Sequence, residues 1–189
     1  MEKNIIIVGV GGQGTLLASR ILGAAATIEG YDVKVSEVHG MAQRGGSVIT
    51  YVKYGEKVHS PIVAKGTADI ILAFEMLEGF RYLDYLKKDG VLIVNRQTID
   101  PMPVITGVME YPKDIVEKIE AKNIKVISVD ALKTALEAGN AKAVNVALIG
   151  SLAATSPIKK EFFVKALEQT VPEKFLDLNK KAFELGYNG

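Results

Sequence analysis

The stretch that decides the fold is residues 5–14, which read IIIVGVGGQG. Its first part, Ile5–Val8, is a short run of β-branched residues, and such a run is typical of a strand that is buried on both faces. Glycines follow at positions 9, 11, 12 and 14, and then apolar residues recur at helical spacing until Gly30, a typical helix stop. The stretch therefore predicts a strand, a glycine-rich turn and a helix in immediate succession.

The rest of the chain alternates between strand-like and helix-like patterns. Further strands are predicted over residues 33–35, 47–54, 70–74, 91–94 and 124–129. Helices are predicted over residues 77–88 and 112–123 and from residue 131 onward, where residues 141–154 are expected to form a buried helix. Gly55 and Glu56 are expected to turn the strand at 47–54 into a hairpin that includes Val58. The alternation predicts an α/β fold in a single domain over residues 1–189: a Rossmann-like, mostly parallel sheet with helices on both faces and a helical C-terminal segment.

Composition excludes several classes of function. Lys and Arg total 23 against 22 Asp and Glu, so the formal charge of +1 lacks the basic field that nucleic acid or an anionic membrane requires. With no cysteine, the chain can hold neither a cysteine-ligated iron–sulfur cluster nor a cysteine-type zinc site, and its two histidines nearly exclude an imidazole-based metal site. Its apolar runs fall short of the ~20 residues that a membrane span needs. We therefore expect a cytoplasmic chain without nucleic-acid, membrane or metal partners of its own.

The glycine segment matches the pattern G-x-G-x-x-G between a predicted strand and a predicted helix. The candidate cofactor-binding residues here are Gly9, Gly11, Gly12, Gln13 and Gly14. Glycines in this setting let a ligand phosphate approach backbone N–H groups, and the helix start adds partial positive charge. Glu37, 23 residues after Gly14, could bond a ribose hydroxyl. The alternative is that the glycines only allow the helix and the strand to pack closely.

A second polar cluster spans residues 36–47, SEVHGMAQRGGS, and is expected to leave the sheet at the same carboxyl edge. Arg44 could pair with an anion and His39 could transfer a proton, which makes these two the candidate catalytic residues. Gln43, Gly45 and Gly46 join the candidate cofactor-binding residues. The alternative is a solvated loop in which His39 bonds a backbone carbonyl.

Other polar residues offer no complete catalytic set. The nucleophile pattern G-x-S-x-G is absent, and so is the phosphate loop G-x-x-x-x-G-K-[ST]. The scattered acidic residues Asp69, Glu75, Glu78 and Asp84 are predicted to be solvated surface. The sequence therefore indicates an accessory or completing subunit.

Taken together, residues 9–20 and 36–46 resemble the gamma-type domain of the 2-oxoacid:acceptor oxidoreductases. Residues 37–44, EVHGMAQR, favour the indolepyruvate:ferredoxin branch of that family, in which the chain looks most like the small subunit. The resemblance extends over essentially the full length, including residues 68–75 and the apolar helix around Asn145.

The resemblance implies a complex that oxidatively decarboxylates aryl pyruvates to acyl-CoA and passes the electrons to ferredoxin. Thiamine diphosphate, Mg²⁺ and the 4Fe–4S clusters would lie on a large partner subunit, while this chain would supply interface and a possible CoA pocket through its glycine-rich loops. It would be inactive alone, and the isolated chain is expected to expose an apolar patch and to form a homodimer. Two alternatives stay open, namely an NAD(P)-binding Rossmann oxidoreductase and a nucleotide-binding regulatory protein.

Overall fold

The computed structural model describes residues 2–40 and 45–189 as alternating strands and helices. The strands are β1 Lys3–Val10, β2 Asp32–His39, β3 Ser47–Gly55, β4 Ala68–Ala73, β5 Leu86–Asn95 and β6 Lys125–Val129. The helices are α1 Thr15–Glu29, α2 Met76–Arg81, α3 Met102–Ile105, α4 Ile115–Glu120, α5 Ala131–Ala138, α6 Val144–Thr155, α7 Lys160–Thr170 and α8 Leu176–Asn188. Short 3₁₀ turns occur at Leu83–Tyr85, Ala141–Ala143 and Glu173–Phe175.

The strands form one sheet in the order β2-β3-β1-β4-β5-β6. β1, β4, β5 and β6 are joined by parallel pairing, whereas β3 runs antiparallel to both of its neighbours, β1 and β2. The predicted mostly parallel sheet is therefore confirmed. In a dinucleotide-binding fold the second strand lies directly beside the first, but here β3 separates them.

Two local predictions are wrong. No hairpin forms at Gly55, because β3 already pairs with strands on both sides, and the Val58 N–H instead donates to Asp32 Oδ2 at 2.9 Å. The helix predicted over 77–88 ends at Arg81, because the strand ladder begins early, with Leu86 pairing against Ala68 of β4.

Apolar side chains cover both faces of the sheet, as predicted. Along β1, Ile5 and Ile7 pack in the larger core with α1 and α5–α8, while Ile6 and Val8 point into the second core. That second core is closed by residues from α2, α4 and the connection that contains Val63. The strictly alternating contacts explain why this strand reads as a continuous apolar run.

Helix α6 is the central element of the larger core, as its apolar sequence predicted. Every residue from Asn145 to Ala153 is buried. α8 lies close against it, since a Cβ on Gly186 would overlap the backbone carbonyl of Ala147. Over residues 2–40 and 45–189, no helix combines the length and apolar character that crossing a bilayer requires.

Tyr54 gives the core a measurable pH dependence. Its side chain is 2% exposed, its ring lies 5.5 Å from that of Tyr31, and burial raises its pKa to about 12. In the unfolded chain the tyrosine hydroxyl loses its proton at about pH 10. The stabilisation of the folded chain by protonated Tyr54 is therefore complete below that pH and is lost as the pH rises towards 12. We expect the free energy of unfolding to fall by about 1 kcal/mol between pH 9 and pH 11 through this group.

Urea unfolding at several pH values measures the effect, and Tyr54→Phe should remove that part of the slope. An identical pH dependence in the variant would contradict the assignment to Tyr54.

Candidate functional site

A surface cleft of about 420 Å³ lies at the carboxyl edge of the sheet, between the turn after β1 and the end of β2. Its walls are Gly11, Gly12, Gly14, Thr15, Leu16, Glu37, His39 and Val48. The structure thus brings three of the predicted glycines together with both Glu37 and His39. Two segments that are separated in the sequence form one site.

A backbone bridge joins the two glycine segments at the rim of this cleft. The Gly11 N–H donates to the Gly46 carbonyl at 2.8 Å, and the Gly45 N–H donates to the Gly11 carbonyl at 3.3 Å. These bonds continue the β1–β3 ladder, in which Val10 pairs with Ser47. We call Gly11, Gly45 and Gly46 the glycine bridge.

The remaining glycines have two different roles. A Cβ on Gly9 would lie 2.9 Å from Phe74 Cβ, and one on Gly14 would lie 2.7 Å from Asn145 Nδ2, so both positions serve close packing. Gly12 has a φ of +103° and nothing within 4 Å of an added Cβ. The packing alternative therefore accounts for Gly9 and Gly14, whereas the Gly12 backbone stays open to a ligand.

The start of α1 gives the cleft a site for negative charge. Gly14 caps this 15-residue helix without a side-chain hydrogen bond, and the first turn has no acidic residue. The N–H groups and partial positive charge at such a helix start favour an anion. Across the cleft, Glu37 Oε2 accepts a hydrogen bond from Thr50 Oγ1 at 3.3 Å. The cleft thus combines a helix start that favours an anion with a carboxylate wall.

Gln13 is used for tying strands together and is not a cleft wall. Its Oε1 accepts from the Val10 N–H at 2.7 Å, and its Nε2 donates at 3.1 Å to both the Phe74 carbonyl and Gln97 Oε1. The Gln13 amide therefore connects the end of β1 to the segments that follow β4 and β5 through hydrogen bonds.

Asn95 belongs to the same hydrogen-bond network, and this residue was not identified from the sequence. Its Nδ2 donates to the Phe74 carbonyl at 3.1 Å and to Gln97 Oε1 at 3.2 Å, while its Oδ1 accepts from the Ala131 N–H at 3.2 Å. The only sequence signal was a polar residue directly after the apolar run of β5. A buried amide at that position needs partners from neighbouring strand ends.

The structure describes only one of the two candidate catalytic residues, His39. His39 is exposed, and its Nδ1 lies 3.2 Å from the Gly40 carbonyl, which is the arrangement of the solvated-loop alternative. Arg44 and Gln43 lie outside the described residues. In the described parts of the chain, no group of three or more His, Cys, Asp or Glu side chains could hold a metal ion.

The prediction that Glu75 and Glu78 are solvated is wrong. Their exposures are 1% and 3%, because donors within the chain replace water around both carboxylates. Glu75 accepts from the Glu78 N–H at 2.8 Å, the Ile99 N–H at 3.2 Å and the Tyr111 hydroxyl at 2.5 Å. The sequence signal for the burial of these two residues was their position just after a strand that is buried on both faces. Asp84, further along the chain, is exposed as predicted.

The cleft has the chemistry of a binding site. The start of α1 can hold an anion, Glu37 can accept from a hydroxyl or amine, and the exposed side chain of Leu16 offers an apolar contact.

The chain is similar to subunits of oxidoreductases over nearly its whole length. The family described as pyruvate ferredoxin/flavodoxin oxidoreductase matches residues 4–189. The indolepyruvate oxidoreductase subunit IorB of Thermococcus kodakarensis is 47% identical over 98% of this chain and 94% of its own length.

Solved structures with the same fold include separate subunits and a part of a longer chain. The gamma subunit of a keto/oxoacid ferredoxin oxidoreductase from Geobacter sulfurreducens has a TM-score of 0.74 at 28% identity, over 98% of this chain and 96% of that one. A 2-oxoglutarate:ferredoxin oxidoreductase from Magnetococcus marinus, with 2-oxoglutarate, coenzyme A and succinyl-CoA bound, shares the fold alone. Its TM-score is 0.73 at 19% identity, over 99% of this chain but 30% of that one.

Alanine at Gly12 and at Gly14 should separate backbone strain from steric overlap. Both glycines have positive φ, so each substitution should cost the ~1–2 kcal/mol of the left-handed conformation. Gly14→Ala should cost a further ~1–3 kcal/mol, because only there does the new Cβ meet Asn145. Urea unfolding of the two variants measures the difference.

The double variant Gly14→Ala/Asn145→Ala should be less unstable than the sum of its two single variants, because removing the amide relieves the overlap. Equal losses for Gly12→Ala and Gly14→Ala would contradict the packing role of Gly14.

Proposed function

Because the chain belongs to the pyruvate ferredoxin/flavodoxin oxidoreductase family, we propose that it is the small, gamma-type subunit of an indolepyruvate:ferredoxin oxidoreductase. The observation that carries the proposal is the 47% identity, over 98% of the chain, to a subunit that bears that name. The complete enzyme, a cytoplasmic complex, would oxidatively decarboxylate aryl pyruvates to acyl-CoA and reduce ferredoxin. This chain would act within the complex as a single domain and would be inactive alone.

The cofactors of the reaction would lie on a large partner subunit. The absence of cysteine means that this chain cannot ligate a 4Fe–4S cluster through thiolates. In the proposal, the partner holds the clusters together with thiamine diphosphate and Mg²⁺. The role of this chain is then to complete a site and an interface.

An exposed apolar segment supports the proposed partner contact. The side chains of Met102, Ile105, Val108 and Met109 are 61%, 66%, 78% and 63% exposed. The hydrogen bonds of Ile99 and Tyr111 to the buried Glu75 fix both flanks of this segment at the carboxyl edge. A cluster of exposed apolar side chains on a fixed segment is typical of a protein interface.

The cleft is the proposed place for CoA. Its volume of about 420 Å³ lies within the ordinary range for ligand pockets, and the start of α1 suits a phosphate group. Gly11, Gly12 and Gly14 would contact the ligand, while Gly9, Gln13, Gly45 and Gly46 would shape the wall behind them. His39 at the rim would be joined by Gln43 and Arg44, which stay sequence predictions.

Nicotinamide nucleotide binding is the second candidate, and Glu37 is the observation in its favour. The carboxylate does line the same cleft as the glycines. However, β3 separates β2 from β1, which puts Glu37 one strand further from the glycine turn than in a dinucleotide-binding fold. This geometry gives CoA the stronger support.

Reconstitution tests the proposed function. This chain should be expressed with and without the large iron–sulfur subunit encoded in the same organism, and each preparation assayed for reduction of ferredoxin with indolepyruvate and CoA. We expect activity only in the complex, because neither chain would hold the whole site. Full activity of the large subunit alone would contradict the proposal.

A matched pair of variants tests whether assembly of the complex depends on the exposed segment. Ile105→Asp should lower recovery of the complex roughly tenfold, because it buries a charge at the interface. Ile62→Asp is the control, since Ile62 is 55% exposed but lies in the connection between β3 and β4 at the opposite edge of the sheet. Equal recovery of both variants would contradict the assigned interface.

A further inference from the structure

A hydrogen bond connects Ser47, the residue before the cleft wall Val48, to the buried carboxylate of Glu78. Ser47, the first residue of β3, directly follows Gly46 of the glycine bridge. Its Oγ donates to Glu78 Oε2 at 2.5 Å, across 31 residues of sequence. The beginning of β3, beside the cleft wall Val48, is thereby attached to the start of α2.

Glu78 is held firmly enough to serve as an anchor. Its other oxygen, Oε1, accepts from Arg81 Nη1 at 2.6 Å, and its own N–H donates to Glu75 Oε2 at 2.8 Å. The side chain is 4% exposed. A carboxylate so far removed from water depends on these donors, and hydrogen bonds to a charged acceptor are stronger than neutral ones.

The anchor acts on the cleft through Ser47 and its neighbours. On one side of Ser47, the Gly46 carbonyl accepts the N–H of Gly11, which lines the cleft. On the other side, Val48 is itself a cleft wall. Glu78 is not among the residues that line the cleft, so its influence is one of position.

We propose that the Ser47–Glu78 hydrogen bond is a positioning device that fixes the segment Gly46–Val48 beside the cleft and thereby sets the affinity for CoA. The inference rests on the proposed function, in which this cleft receives CoA. Ser47 and Glu78 are positioning residues and make no contact with the reacting atoms. Loss of the bond should therefore weaken CoA binding without slowing the reaction at saturating CoA.

The test uses the complex of the full chain with its large subunit. For Ser47→Ala we expect the KM for CoA, and the Kd measured by calorimetry with CoA itself, to rise about fivefold with kcat unchanged, the effect of losing one hydrogen bond. Ser47→Thr keeps the hydroxyl and should stay within about twofold of the native complex. Ser60→Ala removes a hydroxyl that accepts from the Ile62 N–H far from the cleft, and should leave both constants unchanged.

Three results would overturn the inference: an unchanged Kd for CoA in Ser47→Ala, a fall in kcat with KM unchanged, or a failure of Ser47→Thr to restore binding. Leu16→Glu tests separately whether CoA binds in the cleft at all, because it places a negative charge in the cleft wall. Weaker CoA binding in Leu16→Glu but not in Ser47→Ala overturns the positioning role alone. If Leu16→Glu leaves CoA binding unchanged, both the placing of CoA in the cleft and the inference about Ser47 and Glu78 are overturned.

Discussion

The hydrogen bond from the Gly11 N–H to the Gly46 carbonyl, at 2.8 Å, is the contact on which the site depends. It exists because β3 runs against β1, so that the beginning of β3 meets the end of β1. The chain that leaves β2 must therefore return at the same edge of the sheet. The antiparallel strand thus gathers the turn after β1, the end of β2 and the glycine bridge around one cleft.

Polar side chains, among them the buried Asn95 and Glu75, turn this edge into a fixed platform. Gln13 and Asn95 join the ends of β1, β4 and β5 through the Phe74 carbonyl and Gln97, while Glu75 fixes the segment that carries the exposed apolar residues. Each of these groups is hydrogen-bonded within the chain, and hydrogen bonds to buried polar groups such as Asn95 and Glu75 make their surroundings rigid. A rigid platform suits a subunit whose part in the proposed complex is to present a cleft and an interface to a partner that carries the cofactors.

Local sequence patterns predicted the elements well but not the contacts between distant residues. The apolar run Ile5–Val8 and the glycines after it were enough to predict β1 and α1, and the alternation of elements predicted the sheet class. Residues 9–20 and 36–46 together were enough to identify the family, and EVHGMAQR favoured its indolepyruvate branch. The placing of β3 was not predictable, because Gly55-Glu56 resembles a hairpin turn and pairing with β1 and β2 is a property of the whole sheet. The burial of Glu75 and Glu78 was hidden for the same reason, since Tyr111 and Ser47 lie 36 and 31 residues away from them.

Hydrogen exchange of the assembled complex, with and without CoA, tests most directly whether the cleft receives this substrate. The account predicts that CoA slows exchange of the backbone amides in residues 11–16 and 45–48, because the ligand covers the start of α1 and the wall beside it. Amides in β6, the outermost strand on the side of the sheet away from β2, should exchange at the same rate with and without CoA. Protection confined to the large subunit, with residues 11–16 unchanged, would contradict the account.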